Sequence, residues 1–264
     1  MKNRYSVIFS VFAVAILIGS LAGCTTYNLL TIKNSDFKNI SGKIYVDSSL
    51  EESEYSKTLK NIEGAKARIE KVFGEVTVDP TIIITGTPEN ASKYGLKVFP
   101  GSAHVAPWET YLVLNEQKIE GINVISHELM HAQVAELTGY WVFTAKLPTW
   151  FSEGVAMQVD FRDHYMIDLD TFESSELERV MEITGNSGFW PGNKEMEIRN
   201  YRAAKVAVEN LLDADRAGLL YKKLKKLSAG HEFNEIFIIG NAKDRHNNFE
   251  GEADKTAQCV NKFF

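Results

Sequence analysis

The order of patterns along the chain predicts an α+β fold. Short β-branched or apolar runs, Ile44-Tyr45-Val46, Thr81–Thr85 and Tyr111–Leu114, lie in the first half. Apolar residues at three-to-four spacing dominate from about residue 120 onward. Strands concentrated before helices, rather than alternating with them, argue for α+β over a doubly wound sheet. The 264 residues carry 29 Lys+Arg against 35 Asp+Glu and are 44% hydrophobic. That balance excludes a disordered acidic chain, a fibrous repeat and a multi-span membrane protein.

Each element has its own signal. Ile44–Val46 reads as a first strand. Leu59, Ile62, Ala65, Ile69, Val72 and Phe73 recur at helical spacing, so Tyr55–Phe73 is expected to be a helix that Gly74 ends. Val76–Thr85 is short and β-branched, the pattern of a buried strand. Pro88–Gly101 is rich in turn formers and is expected to be loop. Tyr111–Leu114 is another strand, followed by helices over about 120–138 and 150–159. Residues 161–200, with Gly185, Gly188, Pro191 and Gly192, read as irregular. Helices are expected again over 201–212, 216–227 and 232–239, and the polar tail 241–264 is expected to fray.

The front end reads as an export signal. Lys2 and Arg4 precede Val7–Ile18, an almost wholly apolar run of 12 residues. At about 1.5 Å per residue it is too short for a hydrocarbon core of about 30 Å, and it suits a signal-peptide h-region. Leu21-Ala22-Gly23-Cys24 then resembles the bacterial lipobox. The resemblance implies cleavage before Cys24 and acylation of its sulfur, so the mature chain is expected to be held on a bacterial cell membrane by lipid. Thr25, rather than an aspartate, follows Cys24, which implies the outer membrane in a Gram-negative cell. The expected organisation is a lipoprotein signal peptide over 1–23, a polar flexible tether over 24–42 and one domain over 43–264. Within that domain, an α/β part runs to about residue 145 and a helical part over about 146–240. Loss of Lys2 and Arg4 leaves 27 basic against 35 acidic residues, which argues against a nucleic-acid partner. With Cys24 claimed by lipid, Cys259 has no partner.

The chemistry concentrates in His127-Glu128-Leu129-Met130-His131. Helical positions four apart lie about 40° apart on one face, so both imidazoles can converge on one metal ion. Glu128 projects about 100° away from His127, beside such an ion and within reach of a water bound to it. Two unrelated histidines on a packed helix are the alternative. A third ligand is offered 22 residues on, in Leu147-Pro148-Thr149-Trp150-Phe151-Ser152-Glu153-Gly154-Val155-Ala156. Pro148 favours a helix start, which sets Glu153 in its first turns. Gly154, Val155 and Ala156 would let this helix pack closely on the first. The apolar flanks make Glu153 a carboxylate in need of a partner, and His₂Glu is a known set of catalytic zinc.

Together the two segments resemble the gluzincin zinc metallopeptidases, the thermolysin-like peptidase MA superfamily, whose second motif has the form W-x-x-E-G-x-A. The likeness covers about residues 105–160. It implies a zincin-like layout: a small sheet with an edge strand over the cleft, then the two metal-bearing helices. It further implies Zn2+ held by His127, His131 and Glu153, Glu128 as general base, and a peptide or protein substrate. Tyr111–Leu114 matches the edge strand. Tyr201, expected to start a helix after the long loop, is the candidate for a second oxyanion donor, a core or rim tyrosine being the alternative. His104 and His164 are weaker candidates, and His231 reads as part of a helix start. The longer metzincin motif does not fit, because Val134 and Leu137 stand where it needs a glycine and a histidine. The chain also departs from the gluzincin pattern. Met157 stands where an aspartate would brace a zinc histidine, leaving Gln158, Asp160 or a carbonyl for that task. The expected activity is peptide hydrolysis by a lipid-anchored zinc enzyme. The alternative is a non-catalytic or weakly catalytic binding lipoprotein.

Trp108, Tyr111, Trp141, Phe143 and Trp190 are expected mainly to pack the core, a groove lining being the alternative. Tyr221–Leu227 reads as a helix with Leu220, Leu224 and Leu227 inward and its lysines in solvent.

Overall fold

The structure, a computed structural model, describes residues 25–96, 98–167, 172–212 and 218–237. The signal segment, Cys24, Cys259 and the tail 241–264 lie outside the described residues. The chain folds as α+β around a five-stranded open mixed sheet.

The strands are β1 (Lys38–Ser41), β2 (Ile44–Val46), β3 (Thr81–Thr85), β4 (Gly101–Val105) and β5 (Thr110–Asn115), in spatial order β1-β2-β3-β5-β4. The pairs β2/β3 and β3/β5 are parallel, whereas β1 and β4 close the two sides antiparallel. The edge strand on that side of the sheet is therefore β4, not Tyr111–Leu114. The residues explain the correction. Tyr111 to Asn115 are all buried, as a strand covered on both faces must be. Gly101-Ser102-Ala103-His104-Val105 is only partly buried and poor in large apolar groups, as suits an edge. The segment expected as loop, Pro88–Gly101, ends where β4 begins and contains a short helix over Pro88–Lys93.

The helices, in order, are α1 (Thr25–Leu30), α2 (Glu52–Phe73), α3 (Pro88–Lys93), α4 (Ile122–Thr138), α5 (Tyr140–Ala145), α6 (Thr149–Ala156), α7 (Ser175–Met181), α8 (Asn186–Phe189), α9 (Lys194–Leu211), α10 (Leu219–Ser228) and α11 (Phe233–Ile236). Each face of the sheet has its own apolar core. Ile82, Ile84, Leu112 and Leu114 point to the face covered by α2, α4, α6 and the later helices. Ile83, Tyr111 and Val113 point to the other, covered by α1 and the segment around α3. In α2, Ile62, Ala65, Ile69 and Phe73 are buried at the spacing the sequence predicts. In α10, Leu220, Leu224 and Leu227 are buried, as expected.

Two expectations fail for physical reasons. Residues 25–42 are not a free tether: Leu29, Ile32 and Phe37 are at most 7% exposed and fasten the segment to the second core. Three buried anchors suffice in a stretch rich in Asn, Ser, Thr and Lys. The span 161–200 is also less irregular than its glycines suggest, since α7, α8 and the first turns of α9 lie within it. The Asn193 side chain accepts from the Met196 N–H and starts α9 seven residues before Tyr201, which therefore sits inside a helix and not at its start.

Candidate metal centre

Helix α4 is the central element of the site. From Val124 to Ala135 it is buried almost all round, as befits a helix with neighbours on every side. Gly101 lets β4 come close: a Cβ there would lie 3.0 Å from Val124 Cγ1 and 3.2 Å from Glu128 Cγ. Helix α6 lies alongside, buried from Trp150 to Ala156. Its Gly154 faces α9 and not α4, because a Cβ there would be 2.3 Å from the Ala204 carbonyl oxygen. The expected close packing of Gly154 on the first metal helix is thus corrected: the glycine serves the contact on the far side, which turns Glu153 toward α4.

His127, His131 and Glu153 meet. They are 4%, 8% and 6% exposed. His127 Nε2 lies 3.3 Å from Glu153 Oε2, His131 Nε2 lies 3.4 Å from Glu153 Oε1, and the two Nε2 atoms are 3.2 Å apart. A tetrahedral centre with bonds of about 2.0–2.1 Å has ligand-to-ligand edges of about 3.3 Å. The Nε2–Nε2 separation matches such an edge, each imidazole lies at a similar distance from one Glu153 oxygen, and one donor atom from each residue lies within 4.8 Å of the others. Glu153 Oε2 is buried and has no hydrogen-bond partner, which is costly for a carboxylate oxygen without a cation to receive it. This site can hold a metal ion.

The charges agree with that reading. Burial alone would raise the Glu153 carboxyl, but the two imidazoles beside it hold it down at about 2. Burial alone would lower His127, but the carboxylates of Asp160, Glu153 and Glu128 outweigh it and lift the ring to about 10. Without metal, a proton is the positive charge that this cluster retains.

Both metal-facing rings are braced from behind. His131 Nδ1 lies 3.0 Å from Ser152 Oγ. His127 Nδ1 lies 3.3 Å from Asp160 Oδ2, close enough for a charge contact though off the line of a hydrogen bond. Asp160 is fully buried, and Arg162 Nε donates to both its oxygens at 3.0 Å. Burial would raise Asp160, but His127 and Arg162 hold it well below the usual carboxylate range. The aspartate missing at Met157 is thus supplied three residues later. Helix α6 ends at Ala156, and the chain turns back through residues 157–160. Gln158 does other work: its amide donates to the carbonyls of Gly154 and Lys205, tying α6 to α9. Asp160→Asn should lower the site's affinity for a metal ion 10- to 100-fold, with little effect on the far-ultraviolet circular dichroism spectrum. Competitive titration with a chromophoric chelator measures this, and unchanged affinity would remove the brace.

The remaining candidates divide. Glu128 is beside the triad rather than in it, and its Oε2 accepts from the Ala103 N–H of β4 at 2.8 Å. Tyr201 lies close, its ring centroid 6.1 Å from that of His127. Its hydroxyl accepts from Trp190 Nε1 at 2.9 Å. Burial, reinforced by the Glu153 charge, pushes the phenol well above 10, so its proton stays on and can be donated. His104 is on the other face of the sheet. It pairs with Tyr111, and its ring lies against Gly95 beside Thr25. His164 packs on Tyr165, which in turn packs on Tyr201, one layer from the metal ligands. His231 is exposed, and Glu232, not His231, caps α11. Of the aromatics, Tyr111 is buried and Phe143 and Trp190 pack against the core, while Trp108 and Trp141 are 58% and 75% exposed. Sequence reading missed Ser152 and Arg162. The first was legible as the residue preceding Glu153 on a short helix, and the second carried no signal.

No protein-family model matches the chain, and neither a curated protein nor a solved structure matches it.

Proposed function

We propose that this chain is a gluzincin-type zinc peptidase, held on the bacterial cell envelope by lipid on Cys24. One observation carries the metal-dependent part: two histidines and a glutamate, all buried, bring one donor atom each within 4.8 Å of one another, while a second glutamate stands beside them outside the ligand set. A histidine pair and one carboxylate match the donor chemistry of catalytic zinc, which keeps a fourth position open. When bound, zinc supplies Lewis acidity that activates water near neutral pH and stabilises negative charge on a substrate oxygen.

The other steps belong to the chain. Glu128 accepts the proton of the attacking water and returns it to the leaving amine. The Ala103 N–H holds one of its oxygens and so restrains the carboxylate beside the triad. Tyr201 keeps its proton and donates a hydrogen bond through it to the developing oxyanion, since the Trp190 indole occupies its acceptor side. Asp160 and Ser152 hold the imidazoles in orientation. The alternative, a non-catalytic or weakly catalytic binding lipoprotein, drew its support from Met157; Asp160, in contact with His127, supports the first reading by offering a brace in its place.

The test is direct. The soluble chain from Thr25 should bind one zinc ion per molecule by mass spectrometry of the metal, and His131→Ala should bind at least tenfold more weakly. Wild-type protein without stoichiometric zinc would end the reading.

A further inference from the structure

Helix α1 begins one residue after Cys24 and is fastened to the body at once. Leu29 and Ile32 are 5% and 2% exposed, and the Asn28 amide donates to the Lys93 carbonyl. A lipid on Cys24 would therefore hold the folded body against the bilayer with almost no slack. The surface presented there is apolar. Tyr27 and Leu30, one helical turn apart on α1, are 41% and 46% exposed. Trp108, in the hairpin between β4 and β5, is 58% exposed, and it borders the same cleft as Leu30, His104 and Tyr111.

Three features select a bilayer as the partner. Trp and Tyr, with apolar bodies and polar tips, are the side chains favoured at the membrane–water interface. Residues 25–34 contain no carboxylate and one lysine, Lys33, so an anionic lipid surface meets no repulsion from them. The nearest carboxylate in sequence to Trp108, Glu109, is paired with Lys43 at 3.3 Å and bonded to Thr81.

The same strand connects this surface to the site. At the open edge of β4, the Ala103 N–H holds Glu128. From one of its faces, His104 lines the Trp108 cleft. Two layer spacings of about 10 Å separate α1 from α4, about 20 Å in all. A substrate chain extended at about 3.3 Å per residue spans that in about six residues.

We propose that the Tyr27–Leu30–Trp108 face rests on the bilayer surface, so that the metal centre acts on segments of membrane-held proteins lying within a few residues of that surface. The orientation rests on the lipid reading of Cys24, and the substrate class rests on the peptidase reading.

The lipidated full chain, in phosphatidylethanolamine–phosphatidylglycerol vesicles with bromine near the headgroups, tests the surface. The emission lost in Trp108→Phe isolates the contribution of Trp108, and bromine should quench it at least twofold. An unquenched Trp108 on membrane-bound protein overturns the orientation. Cys24→Ser should leave the vesicles. If it stays bound, the lipid reading fails and quenching alone decides the surface. For the substrate class, transmembrane peptides carry one cleavable segment at increasing distance from the bilayer. Cleavage within about ten residues of the surface should be at least tenfold faster than at about thirty. Equal rates at all distances overturn that class. No cleavage at any distance overturns the peptidase reading, while the quenching result still stands.

Discussion

Glu128→Gln is expected to retain zinc and lose peptide cleavage by a factor of at least 100, the lower end of what a positioned general base contributes. The substitution keeps the shape and one oxygen, which can still accept from the Ala103 N–H, so the fold and the triad are undisturbed. What disappears is the ability to take a proton. Glu128 is not among the three convergent donors, so metal content should stay stoichiometric while turnover falls. Hydrolysis of a quenched-fluorescent peptide library, with metal analysis on the same samples, separates the two. Wild-type rates in Glu128→Gln would remove the assigned base, and loss of zinc would place Glu128 in the ligand set.

Metal-free protein should show a stability that depends on pH in both directions. His127 is raised from 6.5 to about 10. Its protonated form therefore contributes stability that is complete below pH 6.5 and is lost as pH rises toward 10. Glu153 is lowered from 4.5 to about 2. Its ionised form contributes stability present above pH 4.5 and lost as pH falls toward 2. Melting of the chelator-treated protein should thus occur at the highest temperature between about pH 4.5 and 6.5 and fall on either side. Zinc should abolish the alkaline loss, because the ion replaces the proton as the positive partner of Glu153 and binds His127 neutral. Acid should still weaken the loaded protein, since protons compete for the same nitrogens. A melting temperature of the metal-free protein that stays level from pH 6.5 to 10 would contradict the raised His127.

The parts of the site that were legible in the sequence are those set by one helix or one burial pattern. His127 and His131 converge because four residues make slightly more than one turn, whatever surrounds them. Glu153 was legible because an acidic residue inside an apolar run needs a partner. The class of the fold followed from where β-branched runs end and helical spacing begins. Tyr201, expected as an oxyanion donor, stands with its ring centroid 6.1 Å from that of His127, though its helix begins seven residues earlier than expected, at a cap that a Gly- and Pro-rich stretch obscured.

Other features depend on how distant segments meet. That β4 and not β5 forms the edge is decided by strand pairing across the sheet, since Tyr111–Leu114 is apolar enough to be buried on both faces. Asp160 reaches His127 only because α6 stops at Ala156 and the chain folds back. No spacing rule along one helix contains that reversal. Gly154 faces α9 because Ala204 lies there to meet it. The polar composition of residues 25–42 concealed three anchors whose burial depends on a sheet face assembled from strands later in the chain. The sequence by itself determined the kinds of donor and their local geometry, because helix periodicity and the cost of burying charge act over a few residues. Only the tertiary structure decided which groups brace those donors and which strand stands beside them, because those contacts depend on pairings between residues far apart in the chain.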